Sequence, residues 1–316
     1  MIRYYLAAFI LKLLSSNSLT IRFYRKLGNY IGDFKRKNIS IDSAWSGKGD
    51  SYVERGNLLI DICKKNNLFS KQGHVLEIGT GWMHWYGLYL RLHYNVKIDL
   101  EDVWDNRQFS GMKAAFFKLK EYNREKQITS INANDIDLIL NSKNFEHMYE
   151  KLNLKYYLLE DGSIKSFPDG KYDCILSFHV LEHVYRSQIQ GLIQSFYDKA
   201  KPGSIIINQI GIDDHLRHFD RQESAKKYIE YSNKRWVRGF SNVINYHNRL
   251  QPSDYLRLFK KAGFELIETS RQYCDISTLN IDNDWKKYSK SDLNTTILTL
   301  VHTKPEKQHT SKKGKL

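Results

Sequence analysis

The sequence predicts an α/β domain on a doubly wound, mostly parallel sheet, with a helical N-terminal extension and a short basic tail. Three observations carry this. Four of five strand candidates between residues 74 and 209 alternate with helix-patterned segments. They lack a polar face, as strands covered by helices on both sides do. The first, at 74–78, carries an acid, Glu77, next to its last residue and runs into Gly79-Thr80-Gly81 and then a helix. Glycines there let a ligand approach the backbone, and the helix start favours an electron-rich group.

At 316 residues the chain can hold one large domain with extensions. Cys63, Cys174 and Cys274 are far apart and outside any CxxC or His-rich setting. They read as buried thiols in a reducing, cytoplasmic compartment, and no metal site is expected. Net charge is +14, from 49 Lys and Arg against 35 Asp and Glu. Residues 1–40 hold seven of these excess charges and residues 303–316 hold four. The middle of the chain is therefore nearly balanced, which argues against a nucleic-acid partner.

Taken in order, residues 4–14 are apolar except Lys12, far short of the roughly 20 residues that span a bilayer. One preceding charge, Arg3, and no small-x-small site make a poor secretory leader. Leu19, Phe23, Leu27 and Ile31 recur at helical spacing among Arg22, Arg25 and Lys26, giving a basic amphipathic helix. That helix either packs its apolar stripe on the domain or, with residues 1–31 as a unit, lies on an anionic membrane face. The extension is set at 1–50, and 51–66 begins the domain with another helix. After the glycine turn come a helix to about Leu92 and a second strand, Val96 to Asp99. Residues 101–154 read as a helical insertion. Further strands follow near Tyr156–Leu159, Tyr172–Phe178 and Ser204–Gln209, with a helix at about 187–201 stopped by Pro202-Gly203. The polar, His- and Arg-rich segment 211–250 interrupts the rhythm before a helix from Ser253, a strand from Phe264 and a last β-rich run, Thr295–His302. The domain closes at 303, and 304–316, lysine-rich and aperiodic, is expected to be disordered.

The order of signals carries more than any one of them. An acid-GxG turn, an acid after strand two, Asp-Gly after strand three, DCILSFHVLEHV at strand four and KPG before strand five resemble the class I S-adenosylmethionine-dependent methyltransferases over about residues 70–270. The resemblance implies a Rossmann-like seven-stranded sheet whose last strand is antiparallel. VLEIGTGW, IDDHLRHFD and NYHNRLQPSDYLRLFKKAGFE are similar to a bacterial subgroup associated with surface polysaccharide and sugar biosynthesis. Two departures stand out: the family's third glycine falls on Met83, and Lys165-Ser166 replace a Leu-Pro pair.

By this resemblance S-adenosylmethionine is the cofactor. Glu77, Gly79, Thr80 and Gly81 would border its methionine part, and Asp99, with Asp102 as alternate, its ribose hydroxyls. A carboxylate suits two hydroxyls because it only accepts and can take two donors. Asp161 and Gly162 would meet the adenine, and Phe178 and His179 would lie under the cofactor.

Methyl transfer to a hydroxyl also needs alignment and proton removal. Ligands gather at the carboxyl ends of such strands, where Asp213, Asp214, His215, His218 and Asp220 cluster in sequence. His215 is the expected base with Asp214 orienting it, and His218 and His183 are rivals. The alternative is a solvated, ion-paired lid. Asn245, Asn248 and Arg249, with His183, are candidates to bind a polar acceptor, or they cap the next helix. The leading expectation is O-methylation of a small molecule or glycan, with peripheral membrane contact through residues 1–31. RNA methylation and a catalytically inactive binding protein are the alternatives.

Overall fold

The computed structural model describes residues 2–38, 52–70, 72–127 and 130–306. The end of the extension (39–50) and residues 307–316 of the tail lie outside these. Seven strands form one sheet: β1 (His74–Ile78), β2 (Lys97–Asp102), β3 (Leu154–Leu158), β4 (Tyr172–Phe178), β5 (Ala200–Gly211), β6 (Glu265–Tyr273) and β7 (Thr295–Thr303), in the order β3-β2-β1-β4-β5-β7-β6. β7 alone runs antiparallel to its neighbours, and the rest share one direction. The expected fold class holds.

The helices are α1 (Ile2–Leu14), α2 (Ser18–Asn38), α3 (Tyr52–Lys65), α4 (Trp85–His93), α5 (Phe109–Glu125), α6 (Ala133–Asn141), α7 (Phe145–Leu152), α8 (Ile189–Lys199), α9 (Asn233–Gly239), α10 (Pro252–Lys261) and α11 (Lys290–Leu293). Their ends follow local chemistry. Asn132 and Asn144 accept N–H groups at the starts of α6 and α7, and α10 opens with Pro252 behind a reciprocal Gln251–Asp254 cap.

β1 and β4 sit in the sheet's middle and are almost wholly buried, with α3, α4, α5, α6 and α7 packing one face and α8 and α10 the other. The insertion 101–154 is thus part of the core. Two strands outrun their sequence readings: β2 continues three residues past Asp99, and β5 extends in both directions. The tail also stays ordered beyond Thr303, because Lys304 N donates to Ser204 O at 3.1 Å and its Nζ to Tyr197 O and Ala200 O.

A third apolar cluster departs most from expectation. Tyr4, Ala8 and Leu11 of α1 pack against Leu216, Tyr228, Ile229, Trp236, Phe240 and Trp285. The segment 211–250 is therefore no solvated lid but a buried layer roofed by α1. Lys226 pins it down: its fully buried Nζ donates to Ile212 O, Gln251 Oε1 and Thr295 O at 2.9–3.2 Å. Burial lowers that ammonium to about 7, since charge is costly away from water.

The stripe on α2 does the reverse of packing. Leu19 (69 %), Phe23 (68 %), Leu27 and Ile31 are exposed, while the helix holds the domain through polar groups. Asn29 pairs with Gln108 and Arg107 O, Asp33 takes the Gly111 N–H, and Arg25 lies over Trp104. Cys63 and Cys174 are buried free thiols, and Cys274 is half-buried.

Candidate functional site

The glycine turn sits at the carboxyl end of β1. Gly79 (φ +65°) and Gly81 (φ +70°) are left-handed, and a Cβ on Gly79 would come within 2.5 Å of Val180 Cγ2. The exit of β4 is thus packed directly on the turn, which only glycine permits. The turn leans on the end of β2: Thr80 N donates to Glu101 O at 3.0 Å and Gly81 N to Asp102 Oδ2 at 2.9 Å. Met83, in place of the third glycine, is buried in the core on the α4 side of the sheet. His84, also left-handed at φ +54°, locks the turn through Thr80 Oγ1 (2.9 Å) and Tyr149 OH (2.7 Å). Burial keeps its ring at about 3, hence neutral.

Glu77 is fully buried, and its Oε2 accepts the Gly87 N–H of α4 at 2.7 Å. Burial raises it to about 8 against the pull of that N–H and Thr80. Its work is to tie β1 to α4.

Asp99 is a correction. Its Oδ2 accepts from Tyr172 OH (2.7 Å) and Lys171 Nζ, with His74 Nε2 at 3.3 Å, all at the opposite, N-terminal end of the strands. Burial pushes this carboxyl up, yet the His74, Lys171 and Tyr172 hydrogen bonds outweigh it and hold it at about 2. The miss was a strand boundary: β2 runs to Asp102, placing its last acids, Glu101 and Asp102, beside the turn.

Asp102, buried, already takes the N–H groups of Gly81, Val103 and Trp104. Glu101, a neighbouring acid that the sequence left beside the two candidates, is buried with an Oε1 that has no hydrogen-bond partner among the described residues. Burial, reinforced by Asp102, raises it to about 8. An orphaned buried acceptor is expensive unless a ligand satisfies it. Across the crevice Asp161, exposed, accepts the Ser163 N–H, and Gly162 (φ +66°) faces Val103. Phe178 stacks on Tyr86, with centroids 3.8 Å apart.

Beyond the turn, the ends of β4 and β5 gather a second group. His179, at φ +57°, puts Nδ1 3.3 Å from Glu182 Oε1, which also accepts the Gly211 N–H at 3.0 Å. Burial pushes Glu182 up, but His179, His183 and His215 more than offset it and hold its carboxyl low. His183 Nδ1 donates to Tyr246 O at 2.8 Å. His215 stacks on His247 at 4.4 Å and lies 4.9 Å from the His183 ring and 5.8 Å from that of the exposed His218.

The surroundings of three expected groups differ from the sequence reading. His215 is held at about 3, chiefly by burial and then by His183, too low to take up a proton near neutrality. Asp214 does not orient it: its carboxylate accepts Tyr4 OH (2.7 Å) and Leu216 N (3.0 Å), capping a short 3-10 helix. Asn248 spends its side chain on Leu181 O, Val184 O, Leu250 N and Tyr255 OH, and Arg249 is buried against Trp236 and Trp285. Asn248 holds the loop over residues 181–184, and Arg249 donates to Asn233 Oδ1 at 3.0 Å. Asn245 sits in that loop, its N–H on Asn242 Oδ1. No sequence signal marks Tyr4 or His247 for this site, because 210 residues separate Tyr4 from Asp214.

Comparison with known families finds a match to a methyltransferase domain over residues 54–269. No curated protein matches the chain. Solved structures of similar shape include a Bacillus halodurans protein assigned as a methyltransferase, at 13% identity and TM-score 0.45, covering 80% of this chain and 99% of that one. Another is phosphoethanolamine N-methyltransferase 2 of Haemonchus contortus with S-adenosyl-L-methionine, at 14% identity and TM-score 0.45, covering 79% of this chain and 53% of that one. A third is the [4+2]-cyclase SpnF, at 14% identity and TM-score 0.46, covering 83% and 87%.

Proposed function

The chain belongs to the methyltransferase-domain family, and on that premise we propose that it is an S-adenosylmethionine-dependent enzyme that methylates a hydroxyl of a small molecule or glycan, a sugar being the favoured acceptor. The cofactor's fit rests on Glu101, whose orphaned buried oxygen suits ribose hydroxyl donors, and on a turn that excludes any Cβ at Gly79. Asp161 and Gly162 would border the adenine. S-adenosylmethionine supplies a methyl carbon already activated by its sulfonium.

The observation that carries the hydroxyl reading is the histidine–carboxylate group packed against this turn through Val180. An amine acceptor needs little beyond alignment, whereas a hydroxyl must lose a proton. His218, on the exposed rim of the group, takes that proton on a ring nitrogen and returns it to solvent. The test offers S-adenosylmethionine with sugar, amine and RNA acceptors to the purified chain and follows methyl transfer by mass spectrometry. Transfer to sugar hydroxyls is expected. Transfer to amines or RNA alone, or no cofactor binding by calorimetry, overturns the reading.

The extension bears on where the acceptor is met. We propose that the outer faces of α1 and α2 rest on an anionic membrane surface. Ile2, Leu6, Phe9, Leu13, Phe23 and Phe34 are all more than half exposed there, with Arg3, Arg22, Lys26 and Lys35 exposed among them. Such a basic, apolar face complements acidic headgroups. No described helix is long and apolar enough to cross a membrane. Co-sedimentation with phosphatidylglycerol vesicles should exceed that with phosphatidylcholine and fall at least tenfold in Phe9→Ser/Phe23→Ser. Equal sedimentation of wild type and variant sinks the idea.

A further inference from the structure

We propose that Glu182, His183 and His215 bind a divalent transition-metal ion beside the cofactor turn, an inference that rests on the hydroxyl-methylation reading for its purpose but not for its geometry. One ligand atom from each of the three lies within 4.8 Å of the others. Ligands on a four-coordinate ion at about 2.1 Å stand roughly 3.4 Å apart, so small side-chain rotations close the site.

The atoms left over point the same way. Glu182 is 1 % exposed, and its Oε1 is taken by Gly211 N while Oε2 has no hydrogen-bond partner among the described residues. A buried carboxylate oxygen without a donor is costly, and a cation removes that cost. His183 spends Nδ1–H on Tyr246 O, which fixes the tautomer whose Nε2 lone pair is free. Metal-bound histidines are oriented by this kind of backbone hydrogen bond. His215 is held from behind by the stacked His247 ring.

Space is kept for the group by a glycine. A Cβ on Gly211 would come within 2.8 Å of Glu182 Oε1 and 3.0 Å of His179 Nδ1. The donor set of two imidazoles and one carboxylate selects zinc, cobalt or manganese over magnesium, which prefers oxygen ligands throughout. Three protein ligands leave one position open on a four-coordinate ion and two where it expands to five. In the five-coordinate form two neighbouring hydroxyls, such as a sugar diol presents, can bind as a chelating pair. Such an ion also eases the loss of a hydroxyl proton.

The experiment uses the untagged full-length chain, stripped with chelator and titrated with Co²⁺ and Zn²⁺. Co²⁺ should give visible absorption bands at one equivalent per chain, displaced by Zn²⁺. His183→Ala, at an exposed position where folding is not at risk, and Glu182→Gln should each weaken binding at least tenfold, with S-adenosylmethionine affinity unchanged in His183→Ala. Absence of the bands, or binding unaltered in both variants, overturns the site. Full hydroxyl methylation by the stripped chain removes its purpose while leaving the proposed function standing. Stoichiometric metal binding without methylation of any hydroxyl acceptor does the reverse.

Discussion

The two halves of the crevice are built differently. On the cofactor side, residues 77–84 and 101–102 form a nearly contiguous unit in which backbone N–H groups, left-handed glycines and buried acids satisfy one another. On the other side, where the acceptor is proposed to bind, the polar groups come from residues 179–183, 211–218 and 246–247, under a roof supplied by residue 4. The first half is set by conformation and the second by packing. Substitutions in the first should therefore strike cofactor affinity, and substitutions in the second stability and acceptor handling.

The largest expected break is Gly79→Val. Its backbone lies at φ +65°, and the new side chain enters the Val180 methyl groups, so strain and clash combine. S-adenosylmethionine affinity by calorimetry should fall more than about 100-fold, or about 2.7 kcal/mol. Gly170→Ala is the control: φ is +58° but nothing lies within 4 Å, so only about 1 kcal/mol of stability should go. A Gly79→Val affinity within threefold of wild type would erase the contrast between the halves.

Next comes the pair Asp99 and Glu101, two residues apart on β2, the first held by partners at the N-terminal end of the strands and the second beside the glycine turn. Asp99 is held at about 2, below the ordinary value of 3.8. Its contribution is therefore full above about pH 4 and lost as pH falls toward 2. Asp99→Asn should cost about 2 kcal/mol in urea unfolding at pH 7, much less at pH 2.5, and leave cofactor affinity alone. Burial raises Glu101 to about 8, and on the proposed reading it is the ionised form that would accept the ribose hydroxyls. Wild-type cofactor affinity should thus climb about fivefold between pH 7 and 8, reach about tenfold by pH 9 and level off above. Glu101→Gln should abolish that slope.

This pair also shows how far the sequence could be read. Strand, turn and helix around Gly79 were legible because local rules govern them. The acid after strand two was legible only as a class, since choosing among Asp99, Glu101 and Asp102 depends on where β2 ends, which its pairing with β1 and β3 decides. His183 and His215 were readable as residues of interest, but not as neighbours of each other and of Glu182. Asp214 beside His215 in sequence suggested a dyad, yet a cap and Tyr4 claimed the carboxylate. The α2 stripe stayed open between packing and membrane contact because periodicity reveals an apolar face without saying what covers it.

Tyr4→Phe probes the acceptor-side roof. It removes the 2.7 Å donor to Asp214 Oδ2 inside a fully buried contact, so about 1–3 kcal/mol of stability should be lost. Burial raises Asp214 to about 7, with Tyr4 and Leu216 N opposing. Losing Tyr4 raises it further, and the added instability should be greatest above pH 7, where the carboxylate is ionised. Cofactor affinity should stay within twofold of wild type. A tenfold drop would mean that the roof and the glycine turn form a single unit.

The smallest expected effect belongs to the residue that breaks the family's glycine pattern. Met83 is 2 % exposed and packed in the cluster on the α4 side of the sheet. Its thioether fills core space, and the turn it follows is already locked by His84 through Thr80 and Tyr149. Met83→Leu nearly conserves volume, so it should cost less than about 1.5 kcal/mol and leave S-adenosylmethionine affinity within twofold. Met83→Gly should destabilise through the cavity it opens, without tightening cofactor binding. If restoring glycine improved affinity tenfold, the Met83 side chain would be limiting the cofactor pocket, and the division between a conformational half and a packed half would have to be redrawn through this residue.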